Sequence, residues 1–433
     1  MIAQTVIALA SVLALFALAA FIRKVSDKFF LSAESQRKAV HVGVGLHAML
    51  LPLLLTREGF LVFAVFSALA LLVLRIPGIA SEGVGASLHS VQRRSWGDFL
   101  FLLAVSLLFV LSAGHPALYV LPIAVLTLSD AAAALVGTEY GRMRFGGEDR
   151  IKSVEGSATF FVVTWMTAVT ILLLATDIPR QNVILLSTLV AMFSTYVEAA
   201  SWRGLDNLFV PVGIYVLLFT WADSPTMVLA AITLGWLLFL IIVQFAAPLV
   251  GMSPHAARSA SVAMFLTVVV VSPMNAVLPL LAFLAVLLSR PSGDDTELIL
   301  DFVATLILTG VAWLITGTLF GINAIAFYSG SFVAIGVGYA CYAYRGSRFQ
   351  FLSGIVAAAV ALPAYWLLLP DMNQFTGWVP QLPIVAVVSL VTIVAAISEV
   401  VRPRHWNSTA PGFRFSVIAL VLLLPVYVYE VLN

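Results

Sequence analysis

Long apolar runs recur along the whole chain, separated by short polar connections. Each is roughly 16–25 residues long, the length that an α-helix needs to cross about 30 Å of hydrocarbon. The runs lie at about 3–22, 40–55, 59–74, 98–113, 116–137, 157–176, 182–200, 207–222, 226–250, 259–273, 275–289, 299–319, 321–343, 351–369, 381–400 and 414–431. This pattern predicts an all-α, polytopic membrane protein of about 14–16 transmembrane helices.

Composition agrees with that class and excludes others. The mean hydropathy of +1.07 and the 62% share of hydrophobic residues are too high for a soluble globular protein. A net charge of +1 without a basic run gives no reason to expect nucleic acid as a partner. The single cysteine, Cys341, cannot form an intrachain disulfide.

The distribution of basic residues predicts the orientation in the membrane. Arg23, Lys24 and Lys28 follow the first run directly, which is typical of a retained helix with its N-terminus outside rather than a cleaved signal peptide. Counting alternate loops from there places "RKVSDK", "ESQRK", "QRR", "GRMRFGGEDRIK" and "SWRG" on one face. That lysine and arginine bias predicts that this face is cytoplasmic.

The chain divides into two halves of different character. Most polar groups lie in residues 1–222, which we predict to be a module with a site, whereas 223–433 form a second transmembrane module of unknown role. In the second half, the run 259–289 is one helix or a pair interrupted at "SPMN" (272–275). We prefer the pair, because it keeps both "YRGSR" and "VRPRH" cytoplasmic. An acidic group, Asp294, Asp295, Glu297 and Asp301, is typical of a solvated helix start, although it could also serve a second activity or a docking surface.

The most polar connection, residues 126–157, begins with an acid inside an apolar run. An ionised Asp130 near the end of a spanning helix is costly, so it is either functional or paired, for instance with Arg142 or Arg144. Gly137 and Gly141 allow a ligand to approach the backbone closely. Arg142, Arg144, Arg150 and Lys152 suit a polyphosphate, and Ser153 precedes a helix whose N-terminus favours an anion. The segment is not a P-loop, since "GxxxxGK[ST]" is absent.

Two further groups lie on the same predicted face. Glu198 ends one run, and Asp206 with Asn207 opens the next; with Asp130, the two acids could hold Mg²⁺, or Asp206 and Asn207 could only cap a helix. Earlier, "ESQRKAVHVGVG" puts Arg37 and His41 on one helix face beside Lys38. The two cations could be topological anchors, and His41 could be packing, a phosphate partner or a proton carrier. Gly43 and Gly45 suit close helix packing.

These three blocks together resemble the CTP-dependent lipid kinases of the dolichol kinase type, which include phytol and farnesol kinases. The matching motifs are "RKAVH" (37–41), then Asp130, Ala133, Gly137 and Gly141 with "KSVEGS" (152–157), and finally Glu198, Gly204, Asp206, Asn207 and Pro211. The resemblance covers roughly residues 30–222. The middle block is also similar to phosphatidate cytidylyltransferases, but their terminal "HGGxxDRxD"-like signature is absent.

The resemblance implies transfer of the γ-phosphoryl group of CTP to a membrane isoprenoid alcohol at the cytoplasmic face, with Mg²⁺ or another divalent cation. It implies catalytic roles for Asp130, His41, Lys152 and Glu155. Metal ligands would be Asp130, Glu198 and Asp206. The residues that it implies for nucleotide binding are Arg37, Lys38, Gly137, Gly141, Arg142, Ser153, Gly156 and Asn207. CDP-lipid synthesis and a non-enzymatic lipid transporter or scaffold remain the alternatives.

Overall fold

The computed structural model describes most of the chain. The described residues are 2–30, 32–75, 96–112, 114–147, 150–201, 204–272, 274–289, 296–321, 323–368, 373, 382–401 and 410–432. The basic loop "QRR" and the acids Asp294 and Asp295 therefore lie outside the described residues. The chain forms two compact units, Met1–Leu237 and Leu238–Asn433.

The first unit is helical apart from one short hairpin. Its elements are α1 (Ile2–Phe29), α2 (Ala33–Leu54), α3 (Arg57–Val73), α4 (Gly97–Leu111), α5 (Pro116–Glu139), β1 (Arg144–Gly147), β2 (Arg150–Ser153), α6 (Val154–Ala175), α7 (Arg180–Ala200) and α8 (Asp206–Trp221). The next helix, α9 (Thr226–Leu249), contains the boundary between the two units. The functional boundary predicted at 222/223 stays a prediction.

The regular secondary structure described in the second unit is all helical. Its elements are α10 (Pro254–Val271), a 3₁₀ turn (Met274–Ala276), α11 (Val277–Leu288), α12 (Thr296–Phe320), α13 (Ile325–Ala343), α14 (Gln350–Pro363) with a π-helical continuation (Ala364–Leu368), α15 (Leu382–Val401) and α16 (Pro411–Leu432).

Ten helices in the described part of the chain are long and apolar enough to cross a membrane. Three further apolar helices are shorter, at Gly97–Leu111, Asp206–Trp221 and Met274–Leu288. The predicted class, an all-α polytopic membrane protein, is confirmed.

Helix α5 lies at the centre of the first unit, where α2, α6 and α8 pack around it. On the α2 side, a Cβ at Gly45 would overlap the side chain of Thr127, and the Tyr119 hydroxyl donates to the Ala48 carbonyl over 2.7 Å. On the α6 side, the Thr164 hydroxyl donates to that of Ser129. Small residues and buried hydroxyls thus bring the helices close together, as is common within membranes.

The interruption predicted at 272–275 is confirmed. Helix α10 ends at Val271, and Ser272 has a φ of 86°, a left-handed conformation that ends a helix for a residue with a side chain. The chain then passes through the 3₁₀ turn into α11.

Polar groups in the second unit bind one another. The Asp301 carboxylate accepts a hydrogen bond from the Gly412 amide over 2.7 Å and from the Tyr339 hydroxyl over 2.8 Å. The Arg414 guanidinium pairs with the buried Glu399 carboxylate at 2.5 Å. Asp301 therefore holds the first turn of α16 against α13, which is a structural role.

Candidate active site

Lys38 and Asp130 join the first two motif blocks. The Lys38 ammonium lies 2.5 Å from Asp130 Oδ2, and both side chains are buried. Lys38 is in the second turn of α2, and Asp130 is nine residues before the end of α5. The close approach of these helices at Gly45 and Thr127 brings the two charges together. Asp130 is therefore paired as well as buried, and Lys38 on α2 is one of its partners.

His41 shares the same carboxylate. Its Nε2 lies 3.6 Å from Asp130 Oδ2 and 3.4 Å from the Leu126 carbonyl oxygen. The imidazole meets the Phe101 ring edge to face, at 5.9 Å between ring centroids. A hydrogen on Nε2 would point towards these two oxygens, so Asp130 and Leu126 influence which ring nitrogen carries the proton.

Lys152 and Glu198 join the second block to the third. The Lys152 ammonium lies 2.7 Å from Glu198 Oε1, and both side chains are buried. Lys152 is on β2, the strand that leads into α6, whereas Glu198 is two residues before the end of α7. A buried ion pair of this kind holds the hairpin against the helix end, because separating the two charges would leave each uncompensated.

Ser153 caps α6, as predicted. Its Oγ accepts a hydrogen bond from the Gly156 amide over 3.0 Å. The three predicted glycines surround this hydroxyl: a Cβ would lie 3.1 Å from Ser153 Oγ at Gly137, 2.8 Å at Gly141 and 3.1 Å at Gly156. The glycines therefore allow the end of α5 to approach the start of α6 closely.

The connection also contains a hairpin that the sequence did not predict. Strands β1 and β2 pair antiparallel, with Phe145 opposite Lys152. The Glu155 carboxylate accepts from the Met143 amide over 3.3 Å, which ties the loop to the first turn of α6. Arg142 and Arg144 are exposed and so are accessible to an anionic ligand.

The third motif block, at the start of α8, contacts the start of α4, a segment that no motif covers. The Asn207 side-chain amide donates to the Gly97 carbonyl over 3.0 Å, which links α8 to the start of α4. Asp206 is buried at the first position of α8. Leu205 is the N-cap, and no side chain among the described residues caps this helix. The capping role considered for Asp206 and Asn207 is therefore not what these residues do.

Arg37, unlike the adjacent Lys38, pairs within its own helix. Its guanidinium makes two hydrogen bonds to Glu34, of 2.6 and 3.1 Å, and its side chain is 39% exposed. This local pair on one helix face differs from the buried pair made by the adjacent Lys38.

Comparison with known proteins identifies the family. The chain is 34% identical to a phytol kinase of Synechocystis sp. (strain ATCC 27184 / PCC 6803 / Kazusa) over 197 residues, which are 44% of this chain and 80% of that protein. The chain belongs to the phytol kinase family. No family model matches the chain, and no solved structure matches it.

In this member of the phytol kinase family, the motif blocks meet at one end of the first unit. That end holds the start of α2, the second half of α5, the hairpin, and the facing ends of α7 and α8. The sequence motifs supplied nearly all of these residues. They did not supply the pairings or the Gly97 contact, since contacts over 92 and 110 positions have no local signal.

The carboxylates of this candidate site have the chemistry that Mg²⁺ prefers. Mg²⁺ takes oxygen ligands from one or two acids, and phosphate and water complete its coordination. Among the described residues, no group of three His, Cys, Asp or Glu side chains forms a ready cluster for a metal ion. Asp130 and Glu198 are each paired with a lysine. The acids therefore have the oxygen ligands that suit Mg²⁺, but the described residues do not form a preformed metal cage.

Proposed function

We propose that this protein phosphorylates the hydroxyl of a membrane isoprenoid alcohol of the dolichol, polyprenol or phytol class, with CTP as the donor. The observation that supports this proposal most strongly is the pair of buried lysine–carboxylate bridges, Lys38–Asp130 and Lys152–Glu198. They bring three separate motif blocks to one end of a membrane-embedded bundle, in a chain related to a phytol kinase.

In this reaction, the alcohol oxygen forms a bond to the γ-phosphorus of CTP while the bond from that phosphorus to the β,γ-bridging oxygen breaks. CDP leaves, and the hydroxyl proton passes to a protein group. His41 or a carboxylate such as Asp130 accepts it, since His41 Nε2 and Asp130 Oδ2 lie side by side. Catalysis of phosphoryl transfer depends mainly on positioning and charge neutralisation.

The cations at this end serve the triphosphate. Arg142 is exposed, so it binds phosphate oxygens first, while Lys152 and Ser153 complete the site at the start of α6. Lys152 is already neutralised by Glu198, so binding of nucleotide requires the lysine to exchange or share that partner. Gly137, Gly141 and Gly156 keep the backbone close to Ser153 in this arrangement.

Asp130 with Glu198 or Asp206 would hold Mg²⁺. The ion would neutralise charge on the phosphate oxygens when it is bound. Before metal and nucleotide bind, the lysine ammonium groups balance the charge of the paired carboxylates.

The isoprenoid tail lies between the helices or against their outer surface, and only its hydroxyl reaches the polar end. We place that end at the cytoplasmic face, where the nucleotide is available. The lysine and arginine bias of the loops supports this orientation.

The test uses purified, reconstituted protein and CTP labelled separately at the α and γ positions. We expect label from the γ position alone in the lipid product, with a panel of farnesol, geranylgeraniol, phytol and a short dolichol as acceptors. Asp130→Asn should abolish turnover, and Asp177→Asn, an exposed acid between α6 and α7, should not. Transfer from the α position would indicate a cytidylyltransferase, whereas no turnover with any alcohol or with diacylglycerol would favour a transporter or scaffold.

A further inference from the structure

The second unit contains an apolar cavity that no motif accounts for. It has a volume of about 600 Å³ and lies between α11, α13 and α14. Leu281, Phe332 and Ala357 contribute to its wall. One polar lining residue, Ser353, donates to the backbone carbonyls of Ala340 and Gln350, so that hydroxyl is already used within the protein.

Small residues create this space. A Cβ at Gly336 would lie 3.3 Å from the Ala282 Cα, so α13 and α11 are in close contact at that point. Leu284, Leu352 and Val356 line the cavity and each expose more than half of their surface, so the cavity is open at these residues.

A connection that carries two arginines borders the cavity. Tyr344 and Phe349 line it and stand at the two ends of the connection between α13 and α14. That connection carries Arg345 and Arg348, both exposed. Their guanidinium groups lie over the rings of Tyr342 and Phe349, at 4.4 and 5.0 Å from the ring centroids. The Phe349 contact holds the Arg348 charge beside a residue that lines the cavity, and Arg345 lies three residues earlier on the same connection.

We infer that this cavity binds the tail of an isoprenoid monophosphate, whose phosphate pairs with Arg345 and Arg348. A cavity of roughly 150 Å³ accommodates one benzene molecule, so about 600 Å³ accommodates one chain of on the order of twenty carbons. The two chains of a bilayer phospholipid need more room. Two arginines suit the dianionic headgroup of a monoester. The choice of headgroup rests on the proposed function, because an isoprenoid monophosphate is its product.

The test measures binding of geranylgeranyl monophosphate, with a photoreactive group on its tail, to the full-length protein in nanodiscs of neutral lipid. The cross-linked peptide is identified by mass spectrometry. Ala357→Trp fills the cavity from α14, and Ile355→Trp adds the same bulk at a lipid-exposed position of α14 outside the cavity lining. Arg345→Gln with Arg348→Gln removes the two arginine charges of the connection, and Arg180→Gln, at the start of α7, is the matched charge control.

We expect saturable labelling within α11, α13 or α14, weakened about tenfold or more by Ala357→Trp and by the double arginine variant, and unchanged in both controls. Melting temperature and monodispersity verify that each variant is folded. Equal labelling in Ala357→Trp and Ile355→Trp would overturn the inference. So would equal competition by phosphatidylglycerol, by geranylgeraniol or by inorganic phosphate, which would assign the surface to other ligands.

The binding experiment is independent of catalysis. It is repeated with Asp130→Asn, which removes the proposed kinase activity but leaves the second unit intact. Persistent, cavity-dependent labelling in that variant supports the site. If the wild-type protein has no kinase activity but binds the monophosphate in the cavity, the proposed function fails while this inference holds. If the wild-type protein has kinase activity but is not labelled in the cavity, this inference fails while the proposed function holds.

Discussion

The Lys152 ammonium and the Glu198 carboxylate lie 2.7 Å apart in a buried pair that fixes the β1–β2 hairpin against the end of α7. The pair links the connection that we propose binds the nucleotide to the last motif block. A second buried pair, Lys38–Asp130, links that connection to the first block. The candidate site is thus held together by two ionic contacts between segments remote in sequence.

Removing one partner of the first pair should destabilise the protein. Lys152→Met or Glu198→Gln leaves a buried group without its counter-charge, and we expect a loss of about 3–5 kcal/mol for Lys152→Met, with less for the neutral isostere Glu198→Gln. The double variant should recover much of that stability without recovering activity. Thermal unfolding in detergent, together with γ-phosphoryl transfer, measures both effects.

Glu34→Gln is the control for that experiment. It removes an ion pair with Arg37 that is partly exposed and local to α2. We expect a change within about 1 kcal/mol, the usual range for exposed pairs. A loss as large as that of Lys152→Met would contradict the view that burial sets the difference.

His41→Asn should lower kcat by about 10²–10⁴-fold if the imidazole accepts the hydroxyl proton. The KM for CTP should change little, because the residue faces Asp130 rather than the exposed cations. His47→Asn, six residues further along α2 and partly buried, is the matched control. A parallel loss in both variants would show a packing role, and rescue by added imidazole would support the chemical one.

Gly141→Ala should disturb the start of α6. The new Cβ would lie 2.8 Å from both Cβ and Oγ of Ser153, so the cap or the end of α5 must move. We expect a loss of about 1–3 kcal/mol and a higher KM for CTP. Gly235→Ala, which meets open space on α9, should leave both unchanged. Normal kinetics in Gly141→Ala would show that the close contact is dispensable.

Arg142→Gln should weaken nucleotide binding without affecting folding. The side chain is exposed, so its loss removes a phosphate contact and little packing. We expect the KM for CTP to rise about tenfold, the effect of losing one charge-assisted hydrogen bond. Arg57→Gln, at the start of α3, should have no effect. An unchanged KM in Arg142→Gln would exclude this arginine from the nucleotide site.

The predicted sidedness can be measured with single cysteines. The native Cys341 is buried, so background labelling should be low. Met143→Cys in the motif connection is expected to react with an impermeant maleimide only from the cytoplasmic side, and Asp177→Cys only from the opposite side. Labelling of Met143→Cys from outside would reverse the orientation.

The sequence predicted the helices well, because runs of apolar residues have a direct physical meaning in a membrane. The interruption at Ser272 and the Ser153 cap were also predicted from local chemistry. Helix ends were less certain. Helix α1 continues to Phe29, beyond the predicted end near residue 22, since Arg23, Lys24 and Lys28 are good helix formers at a membrane boundary.

The site was predicted as a set of residues rather than as a set of contacts. Lys38 and Arg37 are adjacent basic residues with the same local pattern, yet only Lys38 is buried against Asp130. Which of the two faces inward depends on the rotation of α2 against α5. That rotation is set by packing at Gly45 and Thr127; the sequence indicated close packing at Gly45 but not its partner on α5.

The Lys38–Asp130 pair also has a consequence for biogenesis. The lysine is 92 residues ahead of the acid, so α2 leaves the ribosome well before α5. Until then, Lys38 lacks the Asp130 carboxylate, and its long side chain can extend to the headgroups. Synthesis of α5 supplies that counter-charge. A chain arrested before residue 130 therefore holds the first motif block without the acid that binds it to the second.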